Sequence, residues 1–277
     1  MSAELSATDV ARDYYDSEDA DAFYQTIWGG EDIHIGIYER PDEAIADASR
    51  RTVERMISKL EGLGPHSRVL DMGSGYCGAA RHLARSYQCQ IMALNLSEVE
   101  NERARVLNQE RGLADNIRVI QGSFDHVPAP AESFDIVWSN DALLHGADRT
   151  RALLEVSRVL RPGGTFVFTD PMQADDCPAG VLDPILARIH LTDLGSPGWY
   201  RREAEAIGLI DLGFEPLTEH LVTHYSRVLE ETRQRAEALG RRVSPDYLER
   251  MQAGLQRWID GGKAGHLCWG IFRFRKR

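Results

Sequence analysis

The patterning of the chain predicts an α/β protein: a mostly parallel sheet of seven strands with helices on both faces. Three observations carry this. Apolar runs of strand length alternate with helix-length stretches, the rhythm of βαβ units. A glycine cluster closes the first run, where a strand must turn sharply into a helix. The 277 residues, 43% apolar and 27% charged, have an ordinary globular composition, which leaves disordered, collagen-like and coiled-coil chains aside.

Taken in order, residues 1–42 are aromatic and acidic, with a break at Trp28-Gly29-Gly30. They read as short helices and an extended piece, IHIGIY at 33–38. Residues 43–61 set Ile45, Val53, Met56, Ile57 and Leu60 at helical spacing, and Gly62, Gly64 and Pro65 end that helix. Strands follow at 67–72 (SRVLDM), 90–95 (QIMALN), 117–122 (IRVIQG), 133–140 (SFDIVWSN) and 165–170 (TFVFTD). Helices over 78–87, 97–112 and 149–160 separate them, the second opened by a capping box of Ser97 and Glu100. The connection after 170 is long, part of 180–192 is helical, and such a stretch often marks a lid. Residues 199–207 read as a helix, 214–225 (FEPLTEHLVTHY) hold a sixth strand, two helices cover about 226–239 and 245–260, and the alternating 267–275 forms the last strand.

Charge and composition exclude several functions. Acidic residues outnumber basic ones by 43 to 32, giving −11, so a phosphate backbone or an anionic membrane is repelled. No apolar run is long enough to span a bilayer, and the acidic N-terminus lacks the apolar stretch of a signal peptide. The cysteines Cys77, Cys89, Cys177 and Cys268 lie far apart with no zinc spacing, which predicts no metal and free thiols in a reducing cytoplasm. Lysine is scarce beside arginine, which suits either a salt-rich cell interior or an arginine-favouring genome. The sequence carries no signal of oligomeric state.

The turn after the first strand reads Asp71-Met72-Gly73-Ser74-Gly75-Tyr76-Cys77-Gly78 and satisfies G-x-G-x-x-G. Glycines let main chain pass directly beside a ligand, and the helix that follows offers free N–H groups. Asn95, followed by Leu96, closes the next strand where a ribose-binding residue is expected. Dinucleotides and S-adenosyl-L-methionine compete for such a turn. Asp71 at the strand tip repels a pyrophosphate and suits the cationic amino-acid end of S-adenosylmethionine. Ser123 and Phe124, at the end of the third strand, are placed for an adenine, although Phe124 also fits simple core packing. Asn140 and Asp141 end the fourth strand at the centre of the crevice, where the chemistry is expected, Asn140 as a cofactor contact and Asp141 as a catalytic residue.

These residues resemble a known family. VLDMGSGYCG, ALNLS, the GSF turn, SFDIVWSNDALLH and LRPGGTFVFTD, over about 67–170, resemble the successive motifs of class I S-adenosylmethionine-dependent methyltransferases. FYQTIWGGEDIHIGIY, ADASRRTVERM, FTDPMQADDCP, RIHL and HLCWGIFRFRK resemble the bacterial sarcosine/dimethylglycine N-methyltransferases, which make the compatible solute glycine betaine. The resemblance implies a Rossmann-like sheet with an antiparallel last strand. It implies one domain over 1–277, with a helical lid at 1–62, the cofactor core at 63–170 and a substrate-side lid with the final strands at 171–277. It places the amino-acid end of the cofactor on the glycine turn, the ribose at Asn95 and the adenine at Ser123-Phe124. Many relatives carry Asp or Glu at the ribose position, so Asn95 is a departure. His34 and Gly36, in the lid, are expected over the cofactor, and the product is S-adenosyl-L-homocysteine.

Methyl transfer is an in-line displacement that depends above all on proximity and orientation. It also needs a deprotonated amine, whereas an amino group with a pKa of about 8 or above is mostly protonated at neutral pH. The cationic product calls for aromatic faces: Tyr24, Trp28 and Tyr38 in one cluster, Trp199 and Tyr200 in another. His145, in the Asp141-Ala142-Leu143-Leu144-His145 run, is expected to take the amine proton or to fix a carboxylate. Arg50 and Arg202 are expected to fork the substrate carboxylate, and Met172 to touch the methyl groups. A small amino acid is therefore the expected partner. Sugar O-methylation, phosphoethanolamine N-methylation, lipid or quinone C-methylation and nicotinamide-dependent oxidoreduction remain alternatives at this stage.

Overall fold

The computed structural model describes residues 17–28, 31–146, 148–189 and 191–277. The part of the N-terminal expectation before residue 17 lies outside them. Helices α1 (Glu18–Trp28) and α2 (Ile45–Ile57) precede the sheet. The alternating core is β1 (Arg68–Met72), α3 (Gly78–Tyr87), β2 (Gln90–Asn95), α4 (Glu98–Glu110), β3 (Ile117–Gln121), β4 (Phe134–Asn140), α5 (Arg149–Val159) and β5 (Leu160–Thr169). Each matches its expected element, with β5 lengthened because Leu160 pairs with Phe134 across an irregularity. The C-terminal third comprises β6 (Met172–Gln173), α6 (Asp183–Leu186), α7 (Pro197–Ala206), β7 (Leu209–Pro216), α8 (Thr218–Gln234), α9 (Ala236–Leu239), α10 (Pro245–Lys263), β8 (Leu267–Cys268) and β9 (Gly270–Lys276).

Seven strands lie in the order β3-β2-β1-β4-β5-β9-β7, and β9 runs antiparallel to both its neighbours. The chain winds from β1 towards β3 on one side and from β4 towards β5 on the other. The strand order therefore reverses between β1 and β4, and a crevice opens beyond their C-terminal ends. Phenylalanines stack across β5, β9 and β7: buried Phe166 on buried Phe168 at 4.6 Å between centroids, Phe168 on buried Phe272 at 5.1 Å and half-buried Phe214 on Phe272 at 4.4 Å. Each fully buried ring stabilises by roughly 1.5–3 kcal/mol.

Two expectations for the C-terminal third are corrected. The sixth strand is Leu209–Pro216, and most of 214–225 belongs to helix α8. Pro216 has no N–H to extend the ladder, and Leu221, His224, Val228, Leu229 and Thr232 are buried at helical spacing. The β-branched pair Val222-Thr223 mimics a strand locally, but burial of that stripe decides the outcome. The expected last strand is split: Leu267–Cys268 pairs with Met172–Gln173 in a separate ribbon, and only Gly270–Lys276 joins the main sheet. Part of 180–192 is helical as expected, as the single turn Asp183–Leu186.

Segment 33–38 is extended but pairs with no strand. Side chains and backbone of α2 and α8 satisfy it instead. Ser49 donates to the His34 carbonyl at 2.9 Å and Thr52 to the Ile35 carbonyl at 2.8 Å. Gly36 and Tyr38 N–H groups donate to Nδ1 of His224 and His220, each at 3.1 Å, and the Ile37 N–H to the Ala48 carbonyl at 3.0 Å. An apolar segment with its polar main chain satisfied this way stays buried without a ladder.

Candidate active site

The glycine turn is shaped by its neighbours. Gly73 has φ +82°, and a Cβ there would meet the Ala142 Cβ at 2.2 Å. A Cβ on Gly78 would meet Asp32 Oδ1 at 2.3 Å, so that glycine admits segment 31–33 against the start of α3. Gly75 has φ +49°, with only Ile33 near its open side. The Gly73 and Ser74 N–H groups donate to the Leu94 carbonyl at 2.8 and 3.2 Å, which ties the turn to β2.

A first cavity lies over this turn. Asp71, Gly73, Ser74, Gly75 and Gly78 form its floor, Asn95 and Leu96 one side, Ser123 and Phe124 another, and Asn140, Asp141 and His145 the inner end. His34 closes it from above. Asp71 is buried, and burial followed by the nearby Asp32 charge pushes its carboxyl up to about 7. Asp32 Oδ2 binds Arg50 Nη2 at 2.5 Å, while Asp32 Oδ1 and Ser74 Oγ are buried without protein partners. Two carboxylates and an unpaired hydroxyl around a glycine turn fit the amino-acid end of S-adenosylmethionine. Asn95 Nδ2 donates to Glu100 Oε2 at 2.8 Å, and Glu100 also lines the cavity. The carboxylate missing at position 95 is thus supplied one helical turn later.

A second cavity adjoins the first, and Ile33, His34, Asp141 and His145 line both. Its wall holds the aromatic rings of Tyr24, Trp28, Tyr225 and Trp258. Tyr24 and Trp28 stand 5.1 Å apart, and Tyr225 and Trp258 5.3 Å. His224, Arg188, Met251 and Pro171 also line it. Burial pushes His145 down to about 4, so its ring is neutral at physiological pH. Asp141, at φ +48°, accepts the Ile35 N–H at 2.8 Å and the Trp269 indole N–H at 2.7 Å. It is a clamp that joins the β4 tip to segment 33–38 and to Trp269, the residue before β9, and burial raises its carboxyl.

Several expected site residues fall elsewhere. Gly36 lines neither cavity: a Cβ there would meet the Ala48 Cβ at 2.6 Å, so it is a packing glycine against α2. Tyr38 stands behind the second cavity, its hydroxyl 3.0 Å from His224 Nδ1. Tyr200 is fully buried and donates to Asp170 Oδ2 at 2.6 Å, while Asp170 Oδ1 accepts the Leu144 N–H at 3.1 Å. Tyr200 therefore steadies the turn that carries His145. Trp199 packs on Tyr200, with the Arg149 guanidinium 5.6 Å from its ring. Met172 is fully buried in the core. Arg50 holds Asp32, and Arg202 is exposed beside Glu203. Those two arginines are engaged away from the second cavity, and Arg188 enters it instead.

Sequence reasoning missed Asp32, Glu100, Arg188, His224, Tyr225 and Trp258. In the sequence Glu100 reads as part of the capping box, and Arg188 stands within RIHL with no role assigned to it. His224 and Tyr225 fall within 214–225, whose local pattern resembles a strand. Among the described residues, no group of three or more His, Cys, Asp or Glu is arranged to hold a metal, and no helix is long and apolar enough to cross a membrane.

A switch-point cleft that opens into an aromatic chamber defines the class: the protein is a methyltransferase, and a family model described as a methyltransferase domain matches residues 70–168. The sarcosine/dimethylglycine N-methyltransferase of Halorhodospira halochloris is 56% identical, over 98% of this chain and 97% of that protein. The enzyme of the same name from Aphanothece halophytica is 52% identical over 96% of each. A solved structure from Galdieria sulphuraria superposes with a TM-score of 0.91 at 43% identity, covering 95% of this chain and 98% of that one. The chain belongs to the sarcosine/dimethylglycine N-methyltransferase family.

Proposed function

We propose that this protein methylates the nitrogen of sarcosine and of N,N-dimethylglycine, towards glycine betaine, with S-adenosylmethionine as donor. The observation that carries this reading is the shared wall: Ile33, His34, Asp141 and His145 face both the glycine-turn cavity and the aromatic cavity. When bound, the donor supplies an electrophilic methyl group on a sulfonium. Asp71 and Asp32 would hold its ammonium, Ser74 Oγ its carboxylate, Asn95 with Glu100 its ribose hydroxyls, and Ser123 with Phe124 its adenine, all of them lining the first cavity.

Tyr24, Trp28, Tyr225 and Trp258 surround the substrate nitrogen. Aromatic faces attract a cation more strongly once water is displaced, so they favour the increasingly cationic product. The same chamber desolvates an incoming ammonium and eases loss of its proton. His145, neutral because it is buried, offers a lone pair to the amine without adding a repelling charge. Asp141 fixes the height of the wall through its two hydrogen bonds. The described cysteines are free thiols, which suits the cytoplasm as the working compartment.

The test is a substrate panel with mass-spectrometric detection of methylated products: glycine, sarcosine, dimethylglycine, phosphoethanolamine and several sugars. Methylation of sarcosine and dimethylglycine is expected. Turnover of phosphoethanolamine or a sugar alone would contradict the reading.

A further inference from the structure

Two groups in the second cavity have no part in the reading above. The first is His224, which is fully buried. Its Nδ1 receives the Gly36 N–H at 3.1 Å and stands 3.0 Å from the Tyr38 hydroxyl. A peptide N–H only donates, so Nδ1 must carry the lone pair. In the neutral ring the proton then sits on Nε2. Burial, with a smaller contribution from His34, pushes the ring down to about 3, so it stays neutral at any working pH. His224 Nε2 is buried with no hydrogen-bond partner, and the residue forms part of the cavity wall. A buried donor without an acceptor is costly and uncommon, and here the chamber is the place from which an acceptor can come.

The second group is Arg188, which follows α6 and lines the same chamber. Its side chain lies across Gly254 of α10, where a Cβ would stand 2.3 Å from Nε and 2.5 Å from Cζ. Any other residue at 254 would displace the guanidinium. Nη2 contacts Met251 Sδ at 3.0 Å, and a thioether is a weak acceptor. Among the described residues no carboxylate pairs with Arg188, although acidic residues outnumber basic ones by 43 to 32 in this chain. A permanently charged fork without a carboxylate partner among the described residues therefore lines the aromatic chamber.

We infer that the Arg188 guanidinium and the His224 Nε2–H form an anion subsite that seats the carboxylate of the amino-acid substrate. This deepens the proposed function and rests on the second cavity being the acceptor site. One positive charge and one neutral donor match a monoanionic, planar carboxylate. A phosphomonoester dianion would leave a charge uncompensated, and an amino alcohol would leave the guanidinium unpaired. The subsite thereby selects amino acids over amines that share the same methylated nitrogen.

The test compares binding of dimethylglycine with that of 2-(dimethylamino)ethanol, which keeps the amine and lacks the carboxylate. Isothermal titration is run on the full chain saturated with S-adenosylhomocysteine. The wild type should prefer dimethylglycine by about 100-fold, the scale of a hydrogen bond to a charged group. Arg188→Met should remove most of that preference by weakening dimethylglycine alone. His224→Leu should weaken dimethylglycine about 10-fold, and His224→Gln, which can accept from Gly36 and donate into the chamber, should restore it. S-adenosylhomocysteine affinity, unchanged in Arg188→Met and in His224→Gln, which keeps the acceptor for the Gly36 N–H, reports that the fold and first cavity are intact. An Arg188→Met variant that keeps the preference, or that loses both ligands equally, overturns the subsite while leaving the proposed function standing. A wild type that binds S-adenosylhomocysteine but neither binds nor methylates dimethylglycine overturns both.

Discussion

Asp71 shows how one buried side chain ties ligand affinity to pH. Burial and Asp32 raise its carboxyl to about 7 in the free protein. A bound ammonium favours the ionised form and lowers that value, by one to three units on the usual scale of close ion pairs. Binding then releases a proton below pH 7 and none above it. Titration of S-adenosylmethionine should therefore show constant affinity above about pH 7.5 and a loss approaching tenfold per unit below 7. Asp71→Asn should bind more weakly and lose the pH dependence; a variant with the wild-type profile would remove Asp71 from the donor site. At this scale the first cavity was legible, because its residues sit at strand tips and turns whose positions follow from short-range sequence. Gly36 was the exception: its glycine is required by Ala48, a contact that sequence separation conceals. The second cavity was poorly legible, since its rings and cations come from distant helices. Aromatic residue types alone do not distinguish the chamber of Trp28 and Trp258 from the packing of Trp199.

Among the elements, segment 33–38 does the most to shape the site. It separates the two cavities, yet it lacks the hydrogen bonds of a strand and borrows them from α2, α8 and Asp141. The segment is anchored along its length. Its tolerance of change should be correspondingly small. In Gly36→Ala the new Cβ would overlap the Ala48 Cβ at 2.6 Å and the Ala48 carbonyl carbon at 2.7 Å, both on a rigid helix. Overpacking of this kind costs about 1–3 kcal/mol, so thermal unfolding should begin several degrees lower. Because His34 moves with the segment, affinity for donor and for dimethylglycine should fall together. An unchanged melting temperature with both affinities intact would show that the segment yields freely. Helix α8 carries the converse lesson: its pattern is readable only once the buried stripe of Leu221, His224 and Val228 is known to face other helices.

Across the whole molecule, the sheet order brings the β1 and β4 tips side by side, so the glycine turn and the Asp141–His145 run meet without any long-range signal in the sequence. Alternation of strands and helices made that order inferable, and the terminal β7–β9 pair was the part where boundaries slipped. Two cavities joined by one wall lie at this switch point. A crystal structure with S-adenosylhomocysteine and dimethylglycine bound together tests that account most directly. The homocysteine ammonium should lie against Asp71, and the dimethylglycine nitrogen should face it across His34 and His145 from within the ring of Tyr24, Trp28, Tyr225 and Trp258. Dimethylglycine bound outside that chamber, or a nucleoside product seated away from the glycine turn, would contradict it.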